Sequence, residues 1–203
     1  MNFQEKYRSG KMGWEINRVD SNLVEVVTST PILPCKVLDI GCGTGNNVIW
    51  MQEQGFTVTG IDSSELAVQM AEEKSRAANV KFSCYLCDFF KDIIPGAPFD
   101  FVFDRGCFHH PPEEGDLQPF AENVFKNLKE DGLWLTLSGS CDETREGPGP
   151  PQVSAEQIVR AAEPWFKILF LRAGFFDSNQ EPKAKNWICL MSKRKKSPPT
   201  PAT

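Results

Sequence analysis

The chain has 203 residues, enough for one domain with a full core. Its composition, 40% hydrophobic and 24% charged, is that of a globular protein. The net charge of −5 does not favour binding of nucleic acid by the domain, because the phosphates are also negative. No apolar run approaches the roughly 20 residues that span a bilayer, and the N-terminus carries no hydrophobic signal region. Seven cysteines, an odd number, do not make a complete disulfide framework, so we expect a cytoplasmic protein without membrane contact.

The first half of the chain predicts an N-terminal segment followed by alternating strands and helices. A polar stretch over 7–30 has a helical stripe at Leu23, Val26 and Val27, which we interpret as a lid and a helix. The elements after it are strands at 37–40, 56–61 and 80–86, and helices at 46–54 and from Ser63 or Ser64 to about 78.

The second half continues the alternation. Its predicted elements are strands at 99–103, 133–137, 166–171 and 187–191, a helix over 116–130 closed by Asp131 and Gly132, and a helix from 153 to about 162. This order predicts a doubly wound α/β fold, with a mostly parallel sheet between helices and a hairpin at the end. We expect one domain over 1–192, with the lid and first helix over 1–34, and a disordered basic and proline-rich tail over 193–203.

A glycine-rich turn follows the first strand. Asp39 lies in that strand, and Gly41, Gly43 and Gly45 come after it at every second position. Glycine lets the backbone approach a ligand closely and take positive φ, so a turn of this kind between a strand and a helix is typical of a nucleotide-cofactor site. A dinucleotide fingerprint would place glycine or alanine where Asn46 stands, which makes an NAD-dependent reductase a distant alternative.

The turn, together with a second acid at Asp62, resembles the first two motifs of class I S-adenosylmethionine (SAM)-dependent methyltransferases. The glycines and the helix N-terminus would hold the methionine part of SAM, and Asp62 would accept both ribose hydroxyls. After the third strand, Asp88 would accept the adenine amino group and Phe89 would cover the ring. A turn acid is the alternative interpretation of Asp88.

Flanking segments resemble the thiol, halide and thiopurine methyltransferase group over nearly the whole chain. They are Glu5–Gly10 with Gly13-Trp14-Glu15, Phe99–Gly106, and Gly149–Ser154. The resemblance implies a seven-stranded Rossmann-like sheet of order 3-2-1-4-5-7-6, SAM as cofactor, Trp14 over the methionine part and Arg105 facing the acceptor. The full set of expected cofactor-binding residues is Trp14, Asp39, Gly41, Cys42, Gly43, Gly45, Asp62, Ser63, Asp88, Phe89 and Asp104.

The acceptor side is predicted just past the fourth strand, where ligands sit in open α/β sheets. Arg105 and His109 are the expected catalytic residues, in a pocket bounded also by Trp14 and the loop over 147–151. A thiolate needs little help from a base, so a thiol or other soft nucleophile is the leading acceptor. The alternatives are an O- or N-methyltransferase with His109 or His110 as base, and a SAM-binding regulator without turnover.

Three further interpretations are disfavoured. Cys107, His109 and His110 are spaced too tightly for a usual zinc pair, so no metal is expected. The residues after strand four do not follow the pattern of base-amino methyltransferases, and the basic run Lys193–Lys196 is better explained as a strand end entering a loose tail than as a phosphate contact. We therefore expect a small-molecule acceptor, no nucleic acid, and a monomer or weak homodimer.

Overall fold

The computed structural model describes residues 3–111, 113, 115–145 and 149–195. Their helices are α1 (Phe3–Ser9), α2 (Ser21–Ser29), α3 (Asn46–Glu53), α4 (Glu65–Ala78), α5 (Gln118–Asn127) and α6 (Ala155–Ala162). Their strands are β1 (Lys36–Ile40), β2 (Thr57–Asp62), β3 (Ser83–Leu86), β4 (Phe99–Arg105), β5 (Leu128–Gly139), β6 (Phe166–Phe175) and β7 (Lys185–Lys193). The seven strands form one sheet of order β3-β2-β1-β4-β5-β7-β6, which confirms the predicted fold class.

Two compact units make up the chain, one of Met1–Gly96 with Phe176–Lys183 and one of Ala97–Phe175 with Ala184–Thr203. In the first unit β2 pairs in parallel with β1 and with β3. The carboxyl ends of these strands lead into the glycine turn, Asp62 and the segment from Cys87, so the three predicted cofactor motifs share one edge of the sheet.

Capping explains where α4 begins and ends. The Ser64 hydroxyl accepts a hydrogen bond from the Ala67 N–H, so Ser64 rather than Ser63 is the N-cap. At the other end Asn79 takes a left-handed conformation, and the Val80 N–H donates to the Ser75 carbonyl. Val80 therefore belongs to the helix terminus, and β3 begins at Ser83 instead of the predicted residue 80.

In the second unit β5 pairs in parallel with β4 and antiparallel with β7, which in turn pairs antiparallel with β6. The predicted C-terminal hairpin is thus confirmed. The prediction of a helix up to residue 130 was wrong, because α5 ends at Asn127 and Leu128 already pairs with Phe99 as a strand residue. Asp131, expected to close the helix, lies inside β5 with a φ of 59°, where the β4–β5 register shifts.

The end of β7 corrects the expected start of the tail. Lys193 is the last residue of that strand and its ammonium lies 4.3 Å from the centre of the Phe125 ring. Arg194 pairs with Glu163 and Lys195 with Asp131. The remainder of the predicted tail, 196–203, lies outside the described residues.

Candidate active site

The glycine turn lies against the end of β2 and the start of α3. Gly41, Gly43 and Gly45 all have positive φ, at 67°, 56° and 84°. A methyl group added at Gly43 would lie 3.1 Å from the Tyr7 hydroxyl oxygen, and one at Gly45 would lie 3.2 Å from the Ala71 methyl carbon. Close packing therefore adds to the conformational requirement for glycine.

Asp62 ties this turn to the carboxyl end of β2. One carboxylate oxygen accepts a hydrogen bond from the Gly43 N–H at 3.0 Å, and the other accepts one from the Ser64 N–H at 2.8 Å. Burial raises the pKa of Asp62 from its ordinary value, against the lowering effect of these hydrogen bonds. The carboxylate therefore shapes the turn, and its other lone pairs are of the type that ribose hydroxyls need.

The turn after β3 gives Asp88 a local role. Its carboxylate accepts a hydrogen bond from the Phe90 N–H at 3.0 Å and pairs with Lys91 at 2.7 Å. The hydrogen bond from Lys91 lowers the pKa of Asp88. Phe89 is buried beside an exposed Phe90. These contacts agree with the interpretation of Asp88 as a turn acid, and its half-exposed carboxylate keeps the adenine contact as a prediction.

The N-terminal segment brings aromatic side chains to the glycine turn. The indole N–H of Trp14 donates to the Tyr7 hydroxyl at 3.3 Å, and the Phe3 ring packs edge-on against Trp14 with centroids 5.8 Å apart. Since Tyr7 also approaches Gly43, this aromatic group lies on the turn that was predicted to hold the methionine part.

In the second unit, Asp104 organises the end of β4. The strand runs to Arg105, so Asp104 lies inside it and not beyond its end. The carboxylate is fully buried and accepts hydrogen bonds from the N–H groups of Cys107 and Phe108 and from the Trp134 indole at 2.9 Å. Burial raises the pKa of Asp104 to about 6. The buried carboxylate therefore has a structural role at this turn, and the cofactor contact of Asp104 stays a prediction.

His109 is held between two glycines. Its Nδ1 accepts a hydrogen bond from the Gly139 N–H at 2.7 Å, and a methyl group added at Gly106 would lie 3.3 Å from its Nε2. Burial, and after it the nearby charges of His110, Arg105 and Arg145, lower the pKa of His109 to about 3. The ring is therefore neutral near pH 7 and its Nδ1 lone pair is already engaged.

The remaining acceptor-side residues differ in exposure. Arg105, Cys107 and His110 are half-buried, and burial lowers the pKa of His110. Residues 147 and 148 of the predicted Gly/Pro loop lie outside the described residues, so the predicted pocket that includes the loop stays a prediction. Among the described residues there is no group of three or more side chains arranged to hold a metal ion, and no helix long and apolar enough to cross a membrane.

Comparison with known proteins places these features in a family. The model of the family described as thiopurine S-methyltransferase matches residues 1–194. The chain belongs to the thiopurine S-methyltransferase family.

One curated relative and two solved structures are also similar to the chain, and the structures show the same fold. A probable thiol methyltransferase 2 of Arabidopsis thaliana is 28% identical over 163 residues, which are 80% of this chain and 71% of the relative. The structure from work on the conversion of a disulfide bond into a thioacetal group during echinomycin biosynthesis superposes with a TM-score of 0.82 and 21% identity, over 96% of this chain and 91% of that one. A 1,6-didemethyltoxoflavin N1-methyltransferase of Burkholderia thailandensis was solved with S-adenosylhomocysteine. Its structure superposes with a TM-score of 0.72 and 18% identity, over 94% of this chain and 85% of that one.

A member of the thiopurine S-methyltransferase family is an enzyme that uses SAM as methyl donor, so the assignment confirms the predicted enzyme class and cofactor. It does not support a regulator without turnover. The residues of the first unit fit the cofactor, since three positive-φ glycines form a close-packed turn at the start of α3 with a buried acid bonded to it. SAM supplies an activated methyl group on a sulfonium when it is bound there.

Two polar residues with contacts at these sites were missed at the level of sequence. Glu15 accepts hydrogen bonds from Thr44 and Asn46 at the glycine turn. Arg145 contributes to the charge around His109 and donates to the Pro150 carbonyl. Glu15 was named at the level of sequence only as part of the family-like segment Gly13-Trp14-Glu15, without a role, and nothing in the pattern indicated Arg145.

Proposed function

We propose that this enzyme transfers the methyl group of SAM to the sulfur of a small-molecule thiol. The single observation that carries the choice of thiol is the state of His109. A histidine with a pKa of about 3 and with its Nδ1 bonded to the Gly139 N–H is a poor acceptor for a proton from an alcohol or ammonium group. A thiol loses its proton to water near neutral pH far more readily than an alcohol does, and its thiolate is a strong nucleophile.

On the cofactor side, the proposal assigns one task to each group. The backbone of Gly41, Gly43 and Gly45 and the N-terminus of α3 receive the methionine part, whose carboxylate favours a helix N-terminus. Asp62 receives the ribose hydroxyls, and Asp88 with Phe89 receives the adenine. Asp39 and Cys42 are buried in β1 and in the turn, and they support this surface from within. Ser63 is exposed directly after Asp62 and keeps its assignment to the cofactor.

The aromatic group of the N-terminal segment completes this side. Trp14, bonded to Tyr7, is assigned to cover the methionine part and keep water from the sulfonium. Phe3 packs against Trp14 and supports its ring. The transfer itself is an in-line displacement, for which the enzyme's main contribution is to hold the sulfur about 3 Å from the methyl carbon.

On the acceptor side, Arg105 is assigned to hold the acceptor. It is the last residue of β4, half-buried, and the turn after it is fixed by Asp104 and His109. A guanidinium suits a carboxylate on the acceptor and disfavours a cationic amine. His109 then acts as a positioning residue for this turn, and the thiolate needs no protein base.

A matched set of acceptors tests the proposal directly. Thiosalicylate, salicylate and anthranilate share one ring and one carboxylate and differ only in the nucleophile, which is sulfur, oxygen or nitrogen. Initial rates of S-adenosylhomocysteine formation with each, at saturating SAM, compare the three reactions. Thiosalicylate is expected to react at least about a hundredfold faster than the other two, the contribution that a missing base makes.

The opposite ranking would contradict the thiol assignment. Faster methylation of salicylate or anthranilate, with a rate that depends on His110, would favour the O- or N-methyltransferase alternative. SAM binding without any turnover across a broader panel of thiols, alcohols and amines would contradict the proposal as a whole.

A cytoplasmic location and a monomeric or weakly dimeric state are further parts of this proposal. Cell fractionation tests the location, and light scattering tests the oligomeric state.

A further inference from the structure

We propose that Glu15 is a positioning residue which, with Lys74, fastens the aromatic N-terminal segment to the glycine turn. The inference rests on the proposed SAM site in one respect only, namely that the segment covers the cofactor. The N-terminal attachment itself is independent of that function and is tested separately below.

The contacts of Glu15 reach the turn from one side. One carboxylate oxygen accepts a hydrogen bond from the Asn46 amide at 2.6 Å and from the Asn17 N–H at 2.7 Å. The other accepts one from the Thr44 hydroxyl. Thr44 lies within the glycine turn and Asn46 is the first residue of α3, so a single side chain joins the N-terminal segment to both.

Lys74 joins the same cluster from α4. Its ammonium donates to the Thr44 hydroxyl at 2.6 Å and to the side-chain carbonyl oxygens of Asn17 and Asn46, each at 2.8 Å. It also lies 3.5 Å from the Glu15 carboxylate. Residues 15 and 17, the turn, α3 and α4 therefore meet at one part-buried polar cluster, which we call the Glu15–Lys74 cluster.

Burial makes this cluster stronger than an exposed ion pair. The side chain of Glu15 is 15% exposed and that of Lys74 is 28% exposed, so solvent screens them less than a surface pair. Burial acts to raise the pKa of Glu15, but the hydrogen bonds from Thr44, Asn17 and Asn46 and the charge of Lys74 outweigh it and lower the pKa. The carboxylate is therefore ionised at neutral pH, and it also lies favourably at the N-terminus of α3.

Because Glu15 directly follows Trp14 in the chain, the cluster holds the aromatic residues of the N-terminal segment in place. Trp14 donates to the Tyr7 hydroxyl that approaches Gly43. At the other end of the segment, the Ser64 hydroxyl donates to the Gln4 side chain at 2.6 Å. The aromatic residues thus lie between two attachments, and loss of Glu15 frees the one next to Trp14.

The cluster also explains Asn46. A dinucleotide site has a small residue here for close helix packing, whereas this chain uses an amide that donates to Glu15 and accepts from Lys74. Both groups of the amide are needed, so Asp or Leu at this position would lose one or both contacts.

Two variants and two matched controls test the role. Glu15→Gln keeps the shape but turns an amide N–H₂ towards donors, and Lys74→Met removes the charge. The controls Glu53→Gln and Lys81→Met make the same changes at exposed positions on α3 and before β3. The first measurement is tryptic cleavage at Lys11 without SAM, relative to cleavage at Lys126 on α5, which reports global opening. The second is the dissociation constant and dissociation rate of SAM.

Both cluster variants are expected to raise the Lys11-to-Lys126 cleavage ratio at least about tenfold, the size of a lost hydrogen bond to a charged group. They should weaken SAM binding by a similar factor, mainly through faster dissociation, while kcat at saturating SAM stays within about threefold of the wild-type value. The double variant should show less than the product of the single effects.

A Lys11-to-Lys126 cleavage ratio in Glu15→Gln equal to that of Glu53→Gln would overturn the inference. Tryptic cleavage that becomes faster at Lys11 and at Lys126 by the same factor in the cluster variants would overturn it as well. A raised ratio with unchanged SAM dissociation would overturn the positioning role while leaving the attachment. Failure of the wild-type protein to bind SAM would instead contradict the proposed function, and the cleavage ratio would still decide the attachment.

Discussion

The Nδ1 atom of His109 accepts a hydrogen bond from the backbone N–H of Gly139 over 2.7 Å, which joins the turn after β4 to the end of β5. The Gly139 carbonyl in turn accepts from the Val153 N–H ahead of α6. His109 is therefore part of the framework that holds the turn after Arg105, and its engaged Nδ1 supports the proposal that the ring does not act as a base.

Replacing His109 by alanine should reduce the rate of thiol methylation by less than about tenfold, because no proton transfer depends on the ring. The same variant should be less stable, since the buried Gly139 N–H loses its acceptor at a cost of about 1–3 kcal/mol. Urea denaturation and kcat/KM with a thiol acceptor measure the two effects. A loss of a hundredfold or more with unchanged stability would show that His109 is a base after all.

The contribution of His109 to the free energy of unfolding should fall as the pH drops below about 6.5. The folded state holds its pKa at about 3, so between pH 6.5 and 3 the unfolded chain binds more protons and unfolding is favoured. Each pH unit in that window changes the contribution of His109 by at most about 1.4 kcal/mol. Asp104, whose folded pKa is raised to about 6, acts with the opposite sign between its ordinary value and pH 6.

A comparison of wild type with His109→Asn separates these two contributions, because Asp104 titrates in both proteins. The stability difference between them, measured by urea denaturation at pH 7.5, 6 and 5, should shrink as the pH falls. A difference that stays constant over this range would contradict the neutral buried state of His109.

The sequence was sufficient for the fold and for the glycine turn because both depend on local pattern. Alternating strand and helix periods, positive-φ glycines and the acid at the end of β2 are each visible within a short window. Partners far apart in the chain were not visible. Gly139 is 30 residues from His109, and Glu15 is 29 and 31 residues from Thr44 and Asn46, so only the folded chain brings them together.

Two predicted element boundaries were wrong because backbone hydrogen bonds, and not the apolar pattern, decide where those elements end or begin. Leu128 continues the apolar spacing of α5, yet its backbone pairs with Phe99 and the helix ends one residue earlier. Val80 looks like a strand residue but closes the end of α4. In both cases the same apolar residue fitted the spacing of a helix and that of a strand. Its backbone hydrogen bonds decided to which of the two elements it belongs.

Asp62→Ala should weaken SAM binding by about 1–3 kcal/mol, since the ribose hydroxyls and the Gly43 N–H would all lose their acceptor. Isothermal titration calorimetry measures the change. Glu73→Ala, which removes an exposed acid from α4, serves as the control and should bind SAM with wild-type affinity. Unchanged affinity in Asp62→Ala would rule out the ribose assignment.

Gly139→Ala should destabilise the protein by at least about 1–3 kcal/mol, the usual cost of overpacking. The added methyl group would overlap the Pro151 carbonyl oxygen and lie 3.5 Å from His109 Nδ1. Thermal unfolding checks this, with Gly13→Ala as control, where the nearest atom would be 3.6 Å away. A wild-type melting temperature for Gly139→Ala would mean that the loop around Pro151 adjusts freely.

Arg105→Ala should lower kcat/KM for an anionic thiol and spare a neutral one. Thiosalicylate and thiophenol differ by one carboxylate, so the ratio of their kcat/KM values isolates the contribution of the guanidinium. We expect that ratio to fall by about tenfold to a hundredfold, the range for a charge-assisted hydrogen bond of about 1.5–3 kcal/mol. SAM affinity should stay at the wild-type value, because no cofactor contact is assigned to Arg105. Arg160→Ala, which removes an exposed arginine from α6, is the control and should leave both rates unchanged. Equal losses for the two thiols would mean that Arg105 supports the transfer geometry without recognising the acceptor's charge, and wild-type rates for both would place the acceptor elsewhere.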